Sequence, residues 1–163
     1  CVKNGYMSPR TIEYGKISTG LTYFENGDIV LAKVTPCFEN GNVAIAKGLK
    51  NNVAFGSSEL FVFRCHSIIS EFMFYVVQNT IFTSLCISTM TGTGGLKRVS
   101  SDFIKNYKFA LPNPTEQQVL ADYLDQKCRQ IDETIAKKQA TIEKLTAYKK
   151  SLIYEVVTGK KEV

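Results

Sequence analysis

The chain has 163 residues, is 44% apolar with 18 aromatic side chains, and carries 20 basic against 15 acidic residues for a net charge of +5. That size fits one domain, or one domain with an appendage, and the apolar content excludes a wholly disordered chain. The longest unbroken apolar run, residues 72–77, is far too short to span a bilayer, and five scattered cysteines with no C-x-x-C pair argue against a disulfide framework or a zinc site.

From about Ile12 to Arg64 the pattern is β-like. The runs DIVLAKV (28–34), NVAIAK (42–47) and ELFVFRC (59–65) are short and rich in β-branched and aromatic residues. Between and before them, FENGD, PCFENGN and GLKNN have the chemistry of turns. Residues 67–88 are apolar nearly all round, which predicts one or two buried helices with Ser67 as N-cap, Glu71 in the first turn and a break near Asn79. MTGTGGLKRVSSDFIKNYKFALP then predicts a glycine-rich loop, a short turn of helix and a final strand over 107–111. The sum is an α+β domain with a mixed or antiparallel sheet and a few helices, about 110 residues, a comfortable size for one core.

Beyond Pro114 the period changes. Thr115 and Gln118 fit a capping box. On a heptad counted from Cys128, the a positions are Cys128, Ile135, Ile142, Lys149 and Val156, and the d positions Ile131, Lys138, Leu145 and Leu152. Seven of these nine are apolar, whereas Arg129, Glu133, Lys137 and Lys144 lie off the stripe. Asp125 with Arg129 and Glu133 with Lys137 place acid before base four residues apart, the favourable order. So narrow a stripe predicts a coiled-coil edge. No stop signal precedes Gly159, and a helix over 115–158 would be about 65 Å long at 1.5 Å per residue. A domain of this size is roughly 35 Å across, so the stripe cannot all be buried on it. A partner helix is expected, meeting Ile131, Ile135, Ile142, Leu145 and Leu152; a bend near residues 126–128 that folds two shorter helices back is the competing reading. The predicted division is a globular domain over 1–114, the helix over 115–158 and a tail over 159–163. Residues 1–114 hold 11 basic and 7 acidic side chains and the remainder 9 and 8, so the basic excess sits on the globular part. Charge permits nucleic-acid binding without demonstrating it.

Motifs for catalysis are missing. TGTGGLKR (91–98) lacks the Gly-Lys-Ser/Thr ending of a P-loop and the spacing of a dinucleotide fingerprint. It reads either as a connector or as a loop whose backbone N–H groups, with Lys97 and Arg98, reach a phosphate. His66, the sole histidine, has no nucleophile–base pairing and reads as structural. KVTPCFENGNVAIAK (33–47) places Lys, Thr, Glu and Asn around a turn between strands, which suits either an ordinary hairpin or contacts to base edges and phosphates. FGSSEL (55–60) adds two hydroxyls and a carboxylate.

In combination these segments resemble the DNA-specificity subunit of type I restriction-modification systems. The resemblance runs from Gly27 onward through GDIVLAKVTPCFENGNVAIAK, FGSSELFVFR and TGTGGLKRVSSDFIKNYKFALP, and above all PTEQQVLADYLDQKCRQIDETIAKKQATIEKLTAYKKSLIYEVVTGK. It implies a target recognition domain followed by a long helix. In the family a full subunit has two such halves, whose helices form an antiparallel coiled coil that spaces two domains on a bipartite DNA site. Those helices also dock methyltransferase subunits, and the restriction/translocase subunit joins through the complex. The subunit performs no chemistry, so no catalytic residue, metal, cofactor or membrane partner is expected; the cysteine pattern makes a reducing cytoplasm the default setting.

Transferred to this chain, the resemblance puts Lys97 and Arg98 on phosphates of double-stranded DNA. Base-edge readout falls to the 35–40 and 57–59 loops. The full predicted contact set is Lys33, Thr35, Phe38, Glu39, Asn40, Ser57, Ser58, Thr91, Gly92, Thr93, Gly94, Lys97 and Arg98. One domain with one helix departs from the two-half pattern. The expectation is half a subunit, either a fragment, as Cys1 in place of Met suggests, or a natural half that pairs with a second half or with its own copy. A reading of another class is a coiled-coil adaptor whose globular head binds protein, separable from the first by the salt dependence of DNA binding.

Overall fold

The computed structural model describes residues 19–162 and, before them, residues 2, 3, 5–7, 9–11, 13 and 15, the side chains of 2, 3 and 6 excepted. Cys1, Ile12 and Val163, which entered the sequence reading, lie outside the described residues. Two short antiparallel strands, β1 (Val2–Lys3) and β2 (Tyr6–Met7), come first. Then follow β3 (Thr22–Glu25), β4 (Ile29–Ala32), β5 (Val43–Ile45), β6 (Val53–Gly56) and β7 (Leu60–Phe63). Strand β4 is the centre of an antiparallel sheet ordered β5-β4-β7, and β3 pairs with β6 in a separate antiparallel ribbon. The three apolar runs predicted as strands are therefore the three neighbours of one sheet.

The reason β4 is unbroken Ile-Val-Leu-Ala is that both its faces are covered; all four residues are buried. Ile29 and Leu31 face a core shared with Phe38, Val43, Met73, Val77, Phe82, Cys86 and Val99. Val30 joins Phe24, Ala46 and Leu49 in a second cluster, against which Ala54 and Leu60 pack. Alternation along a strand sends successive side chains to opposite faces, so two cores from one strand require apolar residues at every position.

The helical segment divides where expected. Helix α1 (Ser70–Val76) and helix α2 (Thr80–Ser88) are separated at Asn79, whose side chain accepts a hydrogen bond from the Ile81 N–H and caps α2. Two details differ from expectation. Ser67 is not the cap of α1; Ile69 holds that position and makes no side-chain cap of its own. Helix α2 is also only half buried, with Phe82 and Cys86 inward and Ile81, Leu85 and Ile87 exposed.

Residues 91–98 form a β-hairpin, β8 (Thr91–Thr93) with β9 (Leu96–Arg98), rather than a loop. Both turn glycines, Gly94 and Gly95, have positive φ, as a two-residue hairpin turn that matches strand twist demands. Helix α3 (Ser101–Asn106) follows, capped by the Ser100 hydroxyl. The final strand predicted over 107–111 is absent: this stretch has no ladder partner. Its alternating Tyr107 and Phe109 are instead held by rings, Tyr107 lying 4.9 Å from Phe82 and 5.8 Å from Phe103. Aromatic packing wrote a strand-like pattern into an irregular segment.

Helix α4 (Pro114–Val157) is one element of 44 residues, and its helical bonding runs on through 126–128, where the competing reading placed a bend. Its start is a capping box set two residues earlier than predicted. The Asn113 side chain accepts from the Glu116 N–H at 3.0 Å and the Glu116 carboxylate accepts from the Asn113 N–H at 3.1 Å. Pro114 takes the first helical position, where its missing donor costs nothing. At the other end Gly159, with φ of 70°, closes a Schellman motif, Lys160 N–H to the Glu155 carbonyl and Gly159 N–H to the Val156 carbonyl. Contacts divide the chain into two compact units, residues 1–121 and 122–163. In the second, Ile131, Ile135, Ile142 and Leu145 are each more than half exposed, and Leu152 is partly buried.

An ion network that the sequence did not announce fixes the turn between β3 and β4. Asp28, only 3% exposed, receives Arg64 Nε on Oδ1 at 3.0 Å and Arg64 Nη2 on Oδ2 at 2.7 Å, and its Oδ2 also accepts the Glu25 N–H. Burial pushes the Asp28 carboxyl up, but the two guanidinium bonds and the Glu25 N–H outweigh it and hold the group below its ordinary value of 3.8. The native state thus favours the ionised form, and the stabilisation is complete above the unfolded value and lost as pH falls through the lowered folded one. Asp28→Asn should lose about 1–3 kcal/mol at pH 7, and its urea midpoint should fall less steeply than that of the wild type below pH 4. Parallel pH profiles would overturn the assignment.

Candidate nucleic-acid interface

The three segments singled out in the sequence are joined to one another through main-chain groups. Past the end of β4, Lys33 N–H donates to the Glu59 carbonyl, which brings the 57–59 turn alongside. On the other side, Thr35 N–H donates to the Lys97 carbonyl and Val99 N–H to the Lys33 carbonyl, with Val34 bridging Arg98 in antiparallel fashion. The hairpin is thereby added to the edge of the chain that leaves β4. Thr35 reinforces the junction with its side chain: Oγ1 donates to the Gly95 carbonyl at 2.6 Å and accepts from the Lys97 N–H at 2.9 Å.

Placement sorts the predicted contact residues into two groups. Glu39, Asn40, Ser57, Ser58, Thr91, Gly92, Thr93, Gly94, Lys97 and Arg98 are exposed, and Lys33 is partly so, its ammonium 5.0 Å from the Phe61 ring centre. Phe38 and Thr35 are not surface groups. Phe38 is 2% exposed and belongs to the main core, and Thr35 is 8% exposed with its hydroxyl committed to the hairpin. Both lie beneath the exposed residues of their segment. Gly92 is likewise structural: at φ of 137°, a Cβ would collide with the Leu96 carbonyl oxygen across the ribbon and touch the Lys97 backbone. Only glycine allows the two strands this approach.

Arg98 and Glu59 form the main charged feature of the face. Arg98 Nε lies 2.9 Å from Glu59 Oε2 and Nη2 2.7 Å from Oε1, a bidentate pair with side chains 46% and 32% exposed. The Arg98 bonds hold the Glu59 carboxyl below the usual carboxylate range, despite a burial effect in the other direction, so the folded state favours its ionised form. Lys97, the neighbouring cation, is exposed.

Residues 3–144 match the family of the type I restriction modification DNA specificity domain. The chain belongs to that family. Among curated relatives, the type I restriction enzyme EcoEI specificity subunit of Escherichia coli is 41% identical over 107 residues, 64% of this chain and 18% of that protein. The EcoAI specificity subunit of the same organism is 40% identical over 104 residues, 63% of this chain and again 18% of its own length. The matched stretch thus spans under a fifth of each relative.

One residue that sequence reasoning passed over ties the first turns of α4 into the unit of residues 1–121. Gln117 is 1% exposed; its Oε1 accepts the Ile69 N–H at 2.9 Å and its Nε2 donates to the Pro112 carbonyl at 2.8 Å. It supplies the N-terminal cap that α1 lacks. No local signal marks it, since a glutamine in the first turn of a helix is normally solvated.

Proposed function

We propose that this chain is a DNA-reading module of a type I restriction-modification specificity subunit, acting in the cytoplasm without catalytic chemistry of its own. The globular part would read one portion of a bipartite double-stranded target. Helix α4 would pair with a second specificity half, or with its own copy, and dock the methyltransferase subunits, through which the restriction/translocase subunit joins. The observation that carries the reading is the convergence of the 33–40, 57–59 and 91–98 segments, which lie far apart in sequence, on one hydrogen-bonded surface edged by Lys33, Lys97 and Arg98. Family membership supports DNA as the ligand of that surface. The two relatives are themselves specificity subunits of restriction enzymes.

Lys97 serves in this reading as a phosphate contact, whose contribution is independent of sequence and released with counterions. Binding of labelled duplex by the chain with its methyltransferase subunit should weaken severalfold in Lys97→Ala, equally for all sequences, and the slope of log affinity against log salt should fall by about one. An unchanged slope removes Lys97 from the interface. Shallow salt dependence in the wild type would favour the protein-binding adaptor instead.

A further inference from the structure

We propose that Arg98 reads a guanine and that Glu59 is the residue that aims it, an assignment that rests on the DNA-reading role of this face. As an exposed arginine on a basic surface, Arg98 would ordinarily be given to the phosphate backbone. Its partner argues otherwise. Any phosphate brought to Arg98 also meets the Glu59 carboxylate, held against the same guanidinium at 2.7–2.9 Å. Like charges at that range repel, and the pair has little net charge left to offer an anion. A base edge is neutral and meets no such repulsion.

The geometry of the pair specifies which edge. Glu59 takes Nε and one hydrogen of Nη2. That leaves the end-on edge of the guanidinium, Nη1 with the second Nη2 hydrogen, on a side chain 46% exposed. Two parallel donors match two adjacent acceptors, and in the major groove guanine alone presents them, as O6 and N7. The setting agrees: Arg98 lies on a two-stranded ribbon whose residues 91–98 are all exposed, and a ribbon of that width enters the major groove.

The pair is also poorly explained as a fold clip. The hairpin is already fastened by Thr35 and by the main-chain bonds of Lys97, Val99 and Lys33, while a part-exposed ion pair adds at most a modest amount. Its evident effect is to restrict a long, flexible side chain to one plane. That lowers the ordering cost of binding and sharpens discrimination between bases. Glu59 in this account is a positioning residue.

The test is selection from a pool of randomised duplexes by the full chain with its methyltransferase subunit, comparing wild type, Arg98→Ala, Arg98→Lys and Glu59→Gln. Wild type should enrich a motif containing an invariant G·C pair. Arg98→Ala should relax that pair alone, by about 10- to 100-fold in preference, and leave the other positions intact. Arg98→Lys keeps the charge and guards against loss of folding, yet should relax the same pair because it lacks the fork. Glu59→Gln should blunt preference there while the other positions of the motif are kept. A motif unchanged in both Arg98 variants, or an equal loss of affinity for every duplex, would overturn the assignment of Arg98 and leave the DNA face standing. A wild-type chain that enriches no sequence would overturn the face itself and the assignment with it.

Discussion

Ile135→Asp combined with Leu145→Asp is expected to abolish self-association of the isolated chain, lowering dimer affinity by at least about 100-fold. Each side chain is more than half exposed on α4 in the single chain, at 58% and 61%. Burying such a residue in a helix pair contributes about 1.5–3 kcal/mol, so loss of two corresponds to two or more decades in affinity. Sedimentation at tens of micromolar reads the outcome. The wild type should run as a dimer there and the double variant as a monomer, with unchanged helix content in both. A monomeric wild type would mean that this stripe waits for a different helix. Lys138 and Lys149 occupy seam positions, where a polar group fixes register at a cost in stability; Lys138→Leu should therefore strengthen pairing and lessen its selectivity.

The second large effect is expected at Gln117. Replacement by Leu keeps the volume roughly constant and removes both hydrogen-bonding ends. The Ile69 N–H and the Pro112 carbonyl then lose their partners. An unsatisfied buried polar group costs about 1–3 kcal/mol, so Gln117→Leu should lose roughly 2–4 kcal/mol in urea unfolding of the globular part. Gln117→Glu preserves the acceptor but not the donor, and adds a charge to a site 1% exposed; it should be at least as damaging. A loss below about 0.5 kcal/mol in both would show that solvent reaches the site readily.

What could be read from sequence and what could not divide along physical lines. The strands of the central sheet, the break at Asn79 and the stop at Gly159 were legible because local chemistry sets them: continuous apolar runs, a capping side chain, a glycine at positive φ. The ribbon of β3 with β6 was not resolved, since Tyr23 and Phe55 sit on its outer face, 5.5 Å apart between ring centres, and blur the alternation. The strand predicted over 107–111 failed because aromatic spacing reports packing and not pairing. Gln117, Asp28 with Arg64, and Glu59 with Arg98 join residues 48, 36 and 39 positions apart. No window on the chain contains both partners. The candidate site was legible as segments but not as side chains. Phe38 and Thr35 were expected among the contact residues, and only the fold reveals that both are buried.

The wiring of that surface bears on how it can change. Its three segments are tied mainly through amide and carbonyl groups, with Thr35, Ser57, whose hydroxyl accepts the Glu59 N–H, and Gly92 as the fixed residues. Main-chain bonds are indifferent to the identity of the residue that bears them. Glu39, Asn40, Ser58, Thr91, Thr93 and Lys97 can therefore be exchanged with little penalty to the scaffold. On the proposed reading of this surface, a lineage built on this frame would move from one DNA address to another by small steps, each passing through a folded protein.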